Sequence, residues 1–159
     1  IYGAGPLKQS LQNQIARNGL TSVTLKGWSD NLNSILADAD LFCSPSLDEP
    51  FGLVIGEAMA MGLPVIASDT DGASELFGIN TGFADSSLQH GGLIFPAGDT
   101  VALAAAIGRF CSDEKLRQTV GQNARKRIET SFSYTHLAER LDQLISSVAS
   151  SPRAKRSYI

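Results

Sequence analysis

Two carboxylates and a set of glycines share one short stretch, Ser44-Pro-Ser-Leu-Asp-Glu-Pro-Phe-Gly-Leu-Val-Ile-Gly-Glu-Ala-Met-Ala-Met-Gly62. Glu49 and Glu57 are separated by seven residues. Ionised carboxylates only accept hydrogen bonds, so they suit a ligand rich in hydroxyls. Between them, Gly52 to Met61 carries a helical pattern. The first amides of such a helix, those of Gly52, Leu53 and Val54, have no partner within it and form a ready anion site. Gly52 and Gly56 leave room for a ligand or another backbone to come close. Hydroxyl acceptors on either side of an anion site suit a sugar–diphosphate–ribose ligand.

The neighbouring elements must place these groups. Leu41-Phe-Cys43 reads as a buried strand and Pro64-Val-Ile-Ala67 as the next, making one strand–helix–strand unit with Gly62 as the helix C-cap. The helix is apolar nearly all round, which predicts burial. Glu57, its only charge, would then need a hydrogen-bonding partner. Glu49 falls on the loop outside the strand's carboxyl end, where open α/β sheets hold ligands. Upstream, Gly3-Ala-Gly-Pro6 turns into a helix reaching about Asn18. Lys8 breaks the dinucleotide fingerprint G-x-G-x-x-G there. That turn is either a tight connection or a ligand contact. Val23-Thr-Leu-Lys26 reads as a strand, and Gly27-Trp-Ser-Asp-Asn-Leu32 leads into a short helix ending near Asp38.

Downstream, Asp69-Thr-Asp-Gly-Ala-Ser-Glu75 follows a strand. Asp71 would cap a short helix, Gly72 would let the backbone approach a bound sugar, and Glu75 would sit where the helix dipole favours an acid. Residues 78–91 read as a polar loop ending near a solvated His90. Gly92-Leu-Ile-Phe95 is the last strand. Asp99 caps a helix over 100–111, and a second runs over 113–130. Ser133 opens a third, in which Leu137, Leu141, Leu144, Ile145 and Val148 keep helical spacing. Strands alternating with helices predict an α/β fold: a parallel sheet with helices on both faces.

The 159 residues suit one domain, 1–149, followed by a basic tail, 150–159. Arg153, Lys155 and Arg156 could touch a membrane surface or simply end the chain unstructured. A net charge of −3 argues against nucleic acid. Cys43 and Cys111 have no metal-site spacing and read as free thiols of a reducing cytoplasm. No signal peptide is visible, and the apolar region 52–67 is broken by Glu57 and Pro64. A cytoplasmic protein, with a membrane-surface contact left open, is the expectation. Ile1-Tyr2 leaves no room for a strand before Gly3, so a piece of a longer protein is expected.

The stretch from Pro45-Ser46 through Glu49-Pro-Phe-Gly-Leu53 to Glu57-Ala-Met-Ala-Met-Gly-Leu-Pro-Val-Ile-Ala-Ser68 resembles the Glu-x7-Glu signature of family-4 retaining glycosyltransferases. The order of Gly3-Ala-Gly-Pro6, Lys26-Gly27, Asp71-Gly72-Ala-Ser-Glu75 and Gly92-Leu-Ile-Phe-Pro96 fits as well. The 78–91 segment departs from the pattern, which usually has a much shorter turn here. The resemblance implies the Rossmann-like C-terminal, donor-binding half of a two-domain GT-B enzyme. Such an enzyme moves a hexose from a nucleotide-diphosphate sugar to the hydroxyl of a glycan, lipid or small-molecule acceptor. An N-terminal acceptor domain is implied as the missing partner. By resemblance, Glu49 is catalytic and, with Phe51, Gly52, Leu53 and Val54, holds the donor hexose and distal phosphate. Glu57 accepts bonds from the ribose, and Gly27, Trp28 and Ser29 border the base. The alternative for Trp28 is packing at a domain edge.

No Lys or Arg occurs from Gly27 to Gly108. A departing nucleoside diphosphate develops charge that must be stabilised, and a helix terminus contributes only ~0.3–2 kcal/mol. The resembled family carries an Arg and a Lys upstream of where this chain begins, so these residues alone are expected to be inactive. Neither metal nor other cofactor is expected. The 45–57 stretch has no Asp-x-Asp, and Asp38-Ala-Asp40 and Asp69-Thr-Asp71 read as a helix end and a loop cap. The alternatives are a GT-B nucleotide-sugar epimerase and a non-catalytic nucleotide- or sugar-binding module. A dinucleotide oxidoreductase ranks last.

Overall fold

The computed structural model describes residues 1–78 and 85–150. Residues 79–84 of the expected 78–91 loop, and the basic tail from 151, therefore lie outside the described residues, while Asp85–His90 of that loop forms a 3-10 turn. Contacts divide the chain into one unit of Ile1–Asp38 and a second beginning at Ala39.

In the first unit, α1 spans Lys8–Arg17 and buries no residue. The expected strand over Val23–Lys26 does not form a ladder. Pairing is limited to one parallel bridge, Tyr2 with Gly27. Beside it the Lys26 amide donates to the Ile1 carbonyl at 2.8 Å and the Gly3 amide to the Gly27 carbonyl at 2.8 Å. Helix α2 spans Leu32–Ala37, and the Asn31 side chain caps it by accepting from the Ser34 amide at 3.1 Å.

The second unit runs β1 (Phe42–Ser44), α3 (Leu53–Ala60), β2 (Val65–Ser68), α4 (Asp71–Phe77), a 3-10 turn (Asp85–His90), β3 (Gly92–Phe95), α5 (Thr100–Ser112), α6 (Glu114–Ser131) and α7 (Tyr134–Ser150). The three strands pair in parallel in the order β1-β2-β3. Parallel neighbours need crossovers rather than hairpins, and α3 lies in the first. The apolar runs become β2 and β3, which are buried along their whole lengths. Side chains alternate across a strand. Ile66, Leu93 and Phe95 pack with Ala106 and Phe110 of α5 and Val120 of α6. On the other face α3 and α4 contact the strands. Gly92 is needed there: a Cβ would lie 2.1 Å from the Val65 carbonyl and 2.8 Å from the Phe77 ring. The expected α/β fold is thus the observed one.

Burial of α3 differs from expectation. Ile55, Ala58 and Met59 are buried, but Leu53, Val54 and Glu57 are exposed. Only the side toward the sheet and α6 is covered, so Glu57 needs no internal partner. The N-caps read at Asp99 and Ser133 form, and Asp113 supplies one that was not read. The Asp99 carboxylate accepts from the Val101 and Ala102 amides at 3.0 and 2.9 Å. Asp113 accepts from the Leu116 amide at 2.9 Å, and the Ser133 hydroxyl from the His136 amide at 3.2 Å. Helix α7 has the expected period, yet Leu137, Leu141, Leu144, Ile145 and Val148 are all exposed.

Arg127 of α6 closes the end of α4. Its Nε donates to the Leu76 carbonyl at 3.0 Å and its Nη2 to the Glu75 carbonyl at 3.4 Å. The guanidinium also lies over the Phe132 ring, 5.4 Å from the centroid. The last carbonyls of a helix have no internal donor, and a bond to a charged group is worth ~1.5–3 kcal/mol. Arg127→Met should therefore lower the midpoint of thermal unfolding by roughly 3–10 °C. Calorimetry checks this, and an unchanged midpoint would show that the cap contributes nothing.

Candidate functional site

The loop after β1 carries the first acid. Glu49 is half-buried, and its Oε1 accepts from the Gly52 amide at 3.2 Å. Its backbone carbonyl accepts from the Gly72 amide at 2.9 Å. Gly52 then enters α3 with φ +66°, a left-handed conformation in which a side chain is strained. A Cβ there would also lie 3.2 Å from both Ile55 Cδ1 and Leu76 Cδ1. The Glu49 carboxylate thus takes one of the three amides read as an anion site. The amides of Leu53 and Val54 have no partner among the described residues. The side chains of Phe51 and Leu53 are more than three-quarters exposed, so this end of α3 presents an open, largely apolar surface.

Glu57 stands on the outward side of α3, and its carboxylate has no partner among the described residues. It lies five residues beyond Gly52, or ~7 Å along a helix axis. The helix terminus therefore has one acid before it and another beyond it. The chain has no cation near this terminus in sequence, and Arg127 is engaged at the far end of α4.

The segment after β2 supports the loop. Ser68 is buried, and its hydroxyl reaches the Ser46 carbonyl and, at 3.3 Å, the Ser44 carbonyl. Gly72 plays a different part from the expected one. A Cβ on it would lie 2.6 Å from the Phe51 carbonyl carbon, 2.7 Å from the Glu49 oxygen and 2.9 Å from the Gly52 nitrogen. Its bare backbone lies against the Glu49 loop itself. The N-cap of α4 is Thr70, extended at φ −129°, ψ 159°, and Asp71 is the first helical residue. Asp71 was expected to cap, but its position already lies inside the helix. Asp69 instead accepts from the Ser74 hydroxyl at 3.2 Å. Glu75 was expected in the first turn, but α4 starts at Asp71, so Glu75 lies in its last turn, where the dipole does not favour an acid, and it is exposed. Ser68 was passed over because a serine in an apolar run reads only as a strand end.

In the first unit, Gly27 turns the chain at φ +77°. Trp28 is three-quarters exposed, and its Nε1 donates to Asp30 Oδ1 at 2.8 Å. It is not packed at an edge. The Ser29 hydroxyl accepts from the Asn31 amide at 3.2 Å. The Gly3 turn borders a cavity of about 290 Å³ that includes Tyr2, Leu7, Leu11 and Leu25. Among the described residues no group of three or more His, Cys, Asp or Glu could hold a metal ion. Cys43 and Cys111 are free thiols, and burial pushes the Cys43 thiol up from its usual range. No described helix is long and apolar enough to cross a membrane.

The same arrangement of sheet and helices occurs in solved structures. Anabaena HepE in complex with UDP matches with a TM-score of 0.75 and 27% identity, over 92% of this chain and 40% of that one. The same protein in complex with UDP-glucose matches at 0.73 and 28%, over 92% and 40%. Among curated proteins, the amylovoran biosynthesis glycosyltransferase AmsK of Erwinia amylovora is 35% identical over 157 residues, 91% of this chain and 36% of that one. An exopolysaccharide phosphotransferase of Streptomyces coelicolor is 36% identical over 154 residues, 94% of this chain and 15% of that one. This chain therefore spans little more than a third of AmsK and far less of the phosphotransferase. The family model for glycosyl transferases group 1 matches residues 1–127. Most of its length lies within that match, and the chain belongs to the group 1 glycosyl transferases.

Proposed function

We propose that this chain is the donor-binding part of a retaining hexosyltransferase that uses a nucleotide-diphosphate sugar. The observation that carries the reading is the arrangement at α3: two unpartnered amides, of Leu53 and Val54, between the carboxylates of Glu49 and Glu57. The amides take the distal phosphate, and the carboxylates take neutral hydroxyls on its two sides. Glu57 serves the ribose. Glu49, with the Phe51 and Gly52 backbone beside it, serves the hexose through the carboxylate oxygen that Gly52 leaves free. In the first unit, taken by itself, the exposed Trp28 ring beside Gly27 and Ser29 offers a stacking face for a base. HepE is similar to this chain and binds UDP and UDP-glucose, so these are the first probes.

In the proposed reaction the bond between the anomeric carbon and the phosphate oxygen breaks. A bond to the acceptor oxygen forms on the same face. The acceptor's proton passes to the departing phosphate. Glu49 contributes by holding the sugar and by supporting charge that develops on it. The acceptor site and the cations for the leaving group belong to the part of the protein that this chain does not span. Purified 1–159 should accordingly transfer no sugar from UDP-glucose to acceptor alcohols or to water, as read by release of UDP. Detectable turnover would contradict this division.

The two acids should separate in binding. Removing one partner of a charged hydrogen bond costs ~1.5–3 kcal/mol, about tenfold or more in affinity. Glu57→Ala should weaken UDP and UDP-glucose alike. Glu49→Ala should leave UDP nearly unchanged and remove the extra affinity for UDP-glucose. Titration calorimetry on the complete protein reads both. Equal losses for the two ligands in both variants would reject these roles, and equal thermal destabilisation without a binding effect would mark both acids as braces. The same titrations in excess chelator should give unchanged affinities, and a large loss would show that a metal takes part.

A further inference from the structure

We propose that Ser68 and Gly72 are positioning residues that hold the Glu49 carboxylate in place for the sugar end of the donor. The inference rests on the donor-site reading for its function, but its geometry stands alone. The loop from Pro45 to Gly52 belongs to no ladder, so its polar groups must find partners elsewhere. Two of them, and the Ser44 carbonyl at the end of β1, do so within the clamp. The Ser68 hydroxyl reaches the Ser44 and Ser46 carbonyls, and the Gly72 amide reaches the Glu49 carbonyl. All these donors come from β2, the central and fully buried strand, or from the helix directly after it.

The clamp is also steric. With no Cβ on Gly72, the backbone of α4 lies directly against Glu49, Phe51 and Gly52. Any side chain there must push backbone against backbone, which nothing flexible can relieve. The Glu49 carboxylate is joined to this assembly through the Gly52 amide. Moving the loop by a few tenths of an ångström therefore moves the carboxylate, while α3 itself stays seated in the core. Glu57 lies further along α3, whose Ile55, Ala58 and Met59 are anchored in the core. The clamp should accordingly govern the sugar end and spare the nucleoside end.

The test uses Ser68→Ala and Gly72→Ala in the complete protein, with the core variant Val120→Ala as a destabilised control. Titrations against UDP and UDP-glucose give the ratio of the two affinities. Amide hydrogen exchange reads the loop directly. Both clamp variants should keep UDP affinity within about twofold while the preference for UDP-glucose falls by about fivefold or more. Exchange at the Gly52 and Gly72 amides should quicken, while the capped amides of Val101 and Ala102 keep their wild-type rates. Val120→Ala should lower thermal stability without changing the ratio. Unchanged exchange in the clamp variants would overturn the proposal, as would quickened exchange with an unchanged ratio. A wild-type protein that binds neither probe would sink the donor-site reading separately, and the exchange data alone would then decide the clamp. A variant too unstable to titrate is replaced by Ser68→Thr, which keeps the hydroxyl and should preserve the ratio. Loss of the ratio in that variant would count against the hydroxyl's role.

Discussion

The bond between the Gly72 amide and the Glu49 carbonyl is the point on which the site depends. Irregular backbone at the end of a sheet has no ladder to satisfy it. Here the donor is the first turn of α4, whose amide is an orphan of helix geometry. One orphan therefore satisfies the other. The cost falls on sequence: only glycine lets the two backbones meet. Gly52 adds a second such requirement through its left-handed φ. The small residues around Glu49 are as much the mechanics of loop closure as an allowance for ligand.

This explains what could be read from the residues alone and what could not. The strands of the sheet, the helices and the caps at Asp99 and Ser133 were legible because each has a local signal. Asp99, Asp113 and Ser133 stand where a side-chain oxygen meets the next turn's amides. The strand expected over Val23–Lys26 does not form a ladder, since β-branched residues alone do not supply a partner. The burial of α3 was misjudged for a similar reason. Apolarity all round signals burial only if neighbours cover every side, and here the covered side is that of Ile55, Ala58 and Met59. Gly72 and Ser68 carry no signal of their partners, because Glu49 and Ser46 lie more than twenty positions away in sequence. Arg127 was likewise silent, as the carbonyls it caps are 51 and 52 positions upstream.

The exposure of Glu57 bears directly on how an acid can serve an anionic ligand. A carboxylate beside a diphosphate is repelled by it. Buried in low dielectric, that repulsion would be prohibitive. In water, two unit charges ~7 Å apart repel by only about 0.6 kcal/mol, and salt screens even that. A charged hydrogen bond to a ribose hydroxyl is worth ~1.5–3 kcal/mol. The balance therefore favours an acid on the solvent side of the helix and would disfavour the same acid in the core. Glu49 meets the problem differently. It is half-buried, but the Gly52 amide already satisfies one of its oxygens. That bond leaves the other oxygen to a neutral hydroxyl. The two glutamates can flank an anion because one is solvated and the other is held by backbone.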